Sequence, residues 1–139
     1  MKRIVLIILV AAAVAFGQAG KQQASQAKVL TRAEMDQLLT KPAEIMLIDL
    51  RRPDELTSNG GFPVYLSIQF NDLEKSLAWI PRDRTIVLVS NHAGRAGRAY
   101  ETMVKAGFKV AGAIGAQVYE SEGGKLTKIV PPPPTPNAK

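Results

Sequence analysis

The sequence predicts an α/β domain with a parallel-rich sheet covered by helices on both faces. Two apolar runs, Ile45 to Leu50 and Thr85 to Val89, have the length of buried strands. Other segments place apolar residues three and four apart, as amphipathic helices do. The two patterns alternate along the chain, and strands separated by helices pair in parallel.

The elements follow in order. Lys2 and Arg3 precede thirteen consecutive apolar residues, Ile4 to Phe16, and Gly17-Gln18-Ala19 then offers small residues before a cut. This is the pattern of a secretion signal over 1–19. The apolar run is shorter than the roughly 20 residues that span a bilayer, so no stable membrane span is expected after cleavage. A polar linker over 20–28 leads into a domain over 29–125, and a proline-rich tail occupies 126–139. Five of residues 131–139 are proline, which lacks the amide donor that helix or sheet needs, and the segment should run as extended polyproline.

Within the domain, Thr31-Arg32-Ala33-Glu34 reads as a capping box, followed by Met35, Leu38 and Leu39 on one helical face. Ile45 to Leu50 is the first strand, interrupted only by Asp49 near its end. Val64 to Ile68 is a second strand candidate. Asn71-Asp72-Leu73-Glu74 opens a helix with Leu73, Leu77 and Ile80 as its stripe. Thr85 to Val89 is the strongest strand. After a loop containing Gly94, the residues Ala96, Ala99, Tyr100, Met103 and Val104 mark an amphipathic helix closed by Gly107. Phe108 to Ala111 is a last short strand, and Gln117 to Ser121 a further helical turn. Trp79 and Tyr100 are expected in the core.

Composition narrows the chemistry. The chain has no Cys and one His, His92. That excludes disulfides, thiolate nucleophiles and a zinc site built from these ligands alone. No metal or cofactor is expected. The formal charge is +6, and the second half carries the excess: 9 basic against 4 acidic residues over 81–139. The basic residues are scattered without interleaved aromatics, so a nucleic-acid surface is not expected.

Ligands of open α/β sheets bind beyond the carboxyl ends of the strands. Two such ends carry polar residues here. One begins at Asp49 and Arg51. The other is Ser90-Asn91-His92-Ala93-Gly94-Arg95, which runs from a strand directly into a helix. A helix N-terminus presents unpaired amides and a partial positive charge, favouring an anion by about 0.3–1 kcal/mol when exposed. Arg95 and Arg98 lie against that dipole, a small cost that a bound anion would relieve. A carboxylate at Asp49 could accept loop amides or pair with Arg51 or Arg95.

The order of these pieces resembles the rhodanese-like domain family. The matching stretches are Ile48-Asp49-Leu50-Arg51-Arg52-Pro53-Asp54-Glu55, Gly60-Gly61-Phe62-Pro63, Arg84-Thr85-Ile86-Val87-Leu88-Val89 and Ala106-Gly107-Phe108. The resemblance covers about residues 30–120. It implies a mostly parallel five-stranded sheet flanked by helices, with the active loop between the strand ending at Val89 and the next helix. It also implies that Asp49 and Arg51 support that loop. Family enzymes place a cysteine directly after that strand; here the position is Ser90, with Arg95 at the loop's closing arginine and Ala93 where a glycine is usual. Sulfur transfer in the family runs through a persulfide, which a serine hydroxyl cannot carry.

The sequence therefore points to an exported, catalytically silent rhodanese-like domain. Its loop, Ser90 to Arg95, would bind a small anion or an acidic group on an envelope protein. Two alternatives remain at this level. One is a serine-dependent hydrolase or phosphatase-like enzyme using Ser90, with His92 as base and Asp49 as orienter. The other is a purely structural interaction domain.

Overall fold

The computed structural model describes residues 27–130 and Pro133. The expected secretion signal, nearly all of the expected linker and most of the proline run lie outside the described residues.

Extended chain at 28–30 enters the first helix, α1 (Arg32–Leu39). Thr31 caps it: the Glu34 amide donates to Thr31 Oγ1 at 3.3 Å, and the Thr31 amide donates to Glu34 Oε2 at 2.9 Å. Lys28 and the Thr31 contacts hold the Glu34 carboxyl at about 2, below its ordinary range. Strand β1 (Ile45–Asp49) follows, then α2 (Pro53–Asn59), the brief strand β2 (Leu66–Ser67) and α3 (Leu73–Ser76). Single 3-10 turns flank α3 on both sides. The chain continues through β3 (Thr85–Ser90), α4 (Gly94–Lys105), β4 (Val110–Gly115) and α5 (Ala116–Ser121). Gly107, at φ 82°, closes α4 as expected, with the Phe108 amide bonded back to the Met103 carbonyl at 3.0 Å.

The sheet order is β2-β1-β3-β4, and every pairing is parallel. Alternation sorts the side chains to two faces. Ile48, Leu50, Ile86 and Leu88 pack with Leu73 of α3 and with Ala96, Ala99 and Met103 of α4. Ile45, Leu47, Val87 and Val89 pack on the other face with Met35 of α1 and Tyr119 of α5. The central strand β3 is buried on both faces, which is why its sequence reads as an unbroken apolar run.

The expectation of five strands is corrected: among the described residues the sheet has four. The segment that would extend the sheet beyond β4 makes one parallel bridge, Val29 to Ala113, with two backbone hydrogen bonds of 2.8 Å. It stops there because Thr31 turns the chain into α1 two residues later. The approach is close: a Cβ on Gly112 would lie 2.6 Å from the Lys28 carbonyl oxygen.

Other boundaries also moved. The candidate strand Val64 to Ile68 shrinks to Leu66–Ser67 at the sheet edge. The last strand runs from Val110 to Gly115 rather than from Phe108 to Ala111. The acidic stretch after β1 forms the helix α2; Pro53 takes its first position, where a missing amide costs nothing. Trp79 is not core: it is 84% exposed. Leu73 and Ile80 are buried, but the change from α to 3-10 winding at Leu77 rotates Trp79 outward. Tyr100 is half-buried against the α4 face of the core.

Candidate functional site

The carboxyl ends of β1 and β3 lie side by side, with Asp49 opposite Val89. Two successive residues continue each strand into polar backbone, and the site is built on these continuations.

Asp49 and Arg51 form its floor. Both are fully buried. Arg51 Nε donates to Asp49 Oδ1 at 2.9 Å and Nη2 to Oδ2 at 2.7 Å, a two-pronged pair, while the Arg51 amide adds a third bond at 3.1 Å. Of the partners open to Asp49, the structure gives it Arg51. The remaining guanidinium nitrogen, Nη1, reaches the Asn91 side-chain oxygen at 3.3 Å and so carries the floor into the loop. A charge buried this deeply is tolerated only when paired and hydrogen-bonded, and both conditions hold.

Ser90 ends β3 and is 1% exposed. Its Oγ accepts from the Ala96 amide at 3.3 Å, tying the end of the strand to the first turn of α4. Asn91 bridges inward: its side-chain Nδ2 donates to Glu55 Oε1 at 2.8 Å, and its backbone carbonyl accepts from the Gln117 backbone amide at 3.1 Å. His92 is exposed, and among the described residues it makes no hydrogen bond with Ser90. Ala93 takes the left-handed conformation at φ 62°, where residues with a Cβ are uncommon. Gly94 begins α4 with no atom within 4 Å of where a Cβ would stand. The amides of Asn91, His92, Ala93, Gly94 and Arg95 have no acceptor among the described residues.

Gly115 makes room for this loop. A Cβ there would meet the Asn91 carbonyl at 2.9 Å, the His92 Cα at 3.0 Å and the Ala93 nitrogen at 3.1 Å. The sequence analysis did not single it out, and only the fold brings it to the loop.

Glu55 is the other residue that sequence reasoning missed. It sits in the first turn of α2 and accepts the Arg52 amide at 2.9 Å. Arg95 grips the same carboxylate with both terminal nitrogens, Nη1 to Oε2 at 2.7 Å. The Arg95 hydrogen bonds, the Arg52 amide and the charges of both arginines lower the Glu55 carboxyl to about 2, overcoming its partial burial. The Arg95 guanidinium is raised in turn by Glu55. The loop arginine therefore already holds one carboxylate, supplied by the chain itself. The capping position of Glu55, three residues after Arg52, was visible in the sequence; its pairing with Arg95, 40 residues away, was not.

Beside this rim lies a cavity of about 350 Å³ lined by Leu50, Arg52, Gln69, Phe70, Asn71, Arg95 and Arg98. The Phe70 amide, bonded to the Leu50 carbonyl at 3.1 Å, sets one wall. Arg98 lies over the Phe70 ring, 5.0 Å from its centroid.

No known protein family's sequence profile matches this chain, and no curated protein matches it. Solved structures do. The chain is similar to a rhodanese-related protein from Thermoplasma volcanium, at TM-score 0.63 and 20% identity over 75% of this chain and 99% of that one. It is similar to the polysulfide-sulfur transferase homodimer of Wolinella succinogenes, at TM-score 0.61 and 26% identity over 75% and 80%. A protein of unknown function from Rhodopseudomonas palustris, described as a possible tyrosine phosphatase, aligns at TM-score 0.63 and 24% identity over 73% and 85%. The fold is rhodanese-like.

Proposed function

We propose that this chain is an exported, catalytically silent rhodanese-like domain that binds a small anion, or an acidic group on an envelope protein, at the loop from Ser90 to Arg95. One observation carries the reading. Five consecutive backbone amides, Asn91 to Arg95, have no acceptor among the described residues and stand at the N-terminus of a twelve-residue helix. Backbone donors and the helix dipole together favour negative charge there. The floor pair Asp49–Arg51 supports the loop through Asn91, the role the family resemblance implies for it.

The silent part of the reading rests on chemistry. The chain has no cysteine, so it cannot carry a persulfide. Ser90, aligned with the family's cysteine, is buried with its oxygen turned to the Ala96 amide. The hydrolase alternative has no such support, because a general base must lie within hydrogen-bond reach and His92 faces solvent. Export rests on the pattern of residues 1–19 alone.

Binding is measured by calorimetry and thermal shift on the chain from residue 20, with sulfate, sulfite, thiosulfate and phosphate. We expect millimolar or tighter binding of at least one. Glu55→Gln should strengthen it severalfold, because the resident carboxylate then competes less for Arg95. Absence of binding in both proteins sinks the loop as an anion site.

A further inference from the structure

The cavity beside the loop has its own chemistry, and none of residues 90–94 lines it. We propose that it is a binding site for a small organic phosphate or sulfate ester, read by Arg98 with Gln69 and Asn71 as flanking donors. Arg95, which it shares with the loop, contributes charge while holding Glu55.

The lining contains three arginines and no carboxylate. Arg52 is engaged by Asp54 at 2.9 Å and Arg95 by Glu55. Arg98 has no carboxylate within ion-pairing distance among the described residues, so the wall keeps an uncompensated positive charge. Its guanidinium carbon lies over the Phe70 ring, 5.0 Å from the centroid, and among the described residues it makes no ion pair, which leaves its planar fork open to a two-pronged contact. A tetrahedral oxyanion matches that fork better than a single carboxylate oxygen does.

The wall beneath Arg98 argues for an ester over a bare ion. Phe70 is half-buried, so part of its ring is left as apolar surface that suits the organic part of an ester.

The test uses phenyl phosphate, phenyl sulfate and inorganic phosphate against the chain from residue 20. Affinity is read by calorimetry, and place by backbone and side-chain amide NMR. We expect phenyl phosphate to bind at least fivefold tighter than inorganic phosphate and to shift the side-chain amides of Gln69 and Asn71. If phenyl sulfate binds as well as phenyl phosphate, the site reads the oxyanion shape common to both; if weaker, it reads the second charge. Arg98→Ala should weaken phenyl phosphate about tenfold, the loss of one charged two-pronged contact. Arg98→Lys should lose most of the same affinity, because it keeps charge and loses the planar fork. Arg98 is exposed, so both variants should fold. Unchanged binding in Arg98→Ala, or full retention in Arg98→Lys, overturns the proposal. Shifts confined to the amides of 91–95 also overturn it while upholding the loop. Shifts confined to Gln69 and Asn71 uphold this site and count against the loop.

Discussion

Glu55 shows how much of the site is decided by one carboxylate. It joins the start of α2 to Asn91 and Arg95, and so holds the rim of the loop against the β1 side of the sheet. Its carboxyl is depressed to about 2, from an ordinary value of 4.5. A depressed carboxyl stabilises the fold fully above its unfolded value and stops doing so as pH falls through its folded value. The Glu55 contribution should therefore be intact above about pH 5 and fade between pH 4.5 and 2. Urea midpoints for the wild type and Glu55→Gln should differ most near pH 6 and converge by pH 2. A gap that stays constant across that range would remove the ion pair from the stability of the rim. The legibility of the site also divides at this scale. Asp49 and Arg51, two residues apart at a strand end, stand in the sequence as one of several pairings open to that carboxylate. Glu55, Arg95 and Gly115 could not be brought together, because nothing local in the chain encodes contacts that span 40 residues or the close passage of a loop over a glycine.

Elements were legible where local signals and tertiary demands agreed. The strands β1 and β3 and the helices α1 and α4 have apolar spacing that matches their burial; a capping box opens α1 and Gly107 closes α4. Disagreement came where the local signal is weak or the neighbour decides. The strand β2 is two residues long because it lies at an edge and pairs only through Leu66 and Ser67. The strand β4 was placed early because Gly112 and Gly115 break its apolar run, yet those glycines are what let Lys28 and the loop come close. The helix α2 was missed because its seven residues are almost all polar, with Leu56 alone buried. Gly112 gives this scale its prediction. A methyl group there would press on the Lys28 carbonyl at 2.6 Å and on Leu30. Gly112→Ala should cost about 1–3 kcal/mol and raise hydrogen exchange at the Leu30 and Ala113 amides, which close the bridge. Retained protection at both amides would show that the edge yields without losing its pairing.

At the scale of the whole fold, the described residues form one sheet with a separate apolar cluster on each face, and β3 belongs to both. Leu88 points to the α3 and α4 side and Val87 to the α1 and α5 side, both fully buried. Leu88→Ala should cost about 3 kcal/mol and Val87→Ala about 2 kcal/mol, from lost burial and the cavities left. Because the faces share their central strand, each variant should shift a single cooperative unfolding transition, and the double variant should show close to the summed loss. Two resolved transitions in either single variant would mean that the faces melt independently.

The outward turn of Trp79 bears on how such transitions can be watched. It is the sole tryptophan of the chain, and its indole is already bathed in water in the folded state. Its emission should be red-shifted and readily quenched by iodide before any denaturant is added, and should change little on unfolding. Loss of the native sheet will show instead in the far-ultraviolet dichroism. The same exposed ring, remote in winding from the buried stripe it follows, offers a ready-made reporter for anything that settles on that corner of the surface.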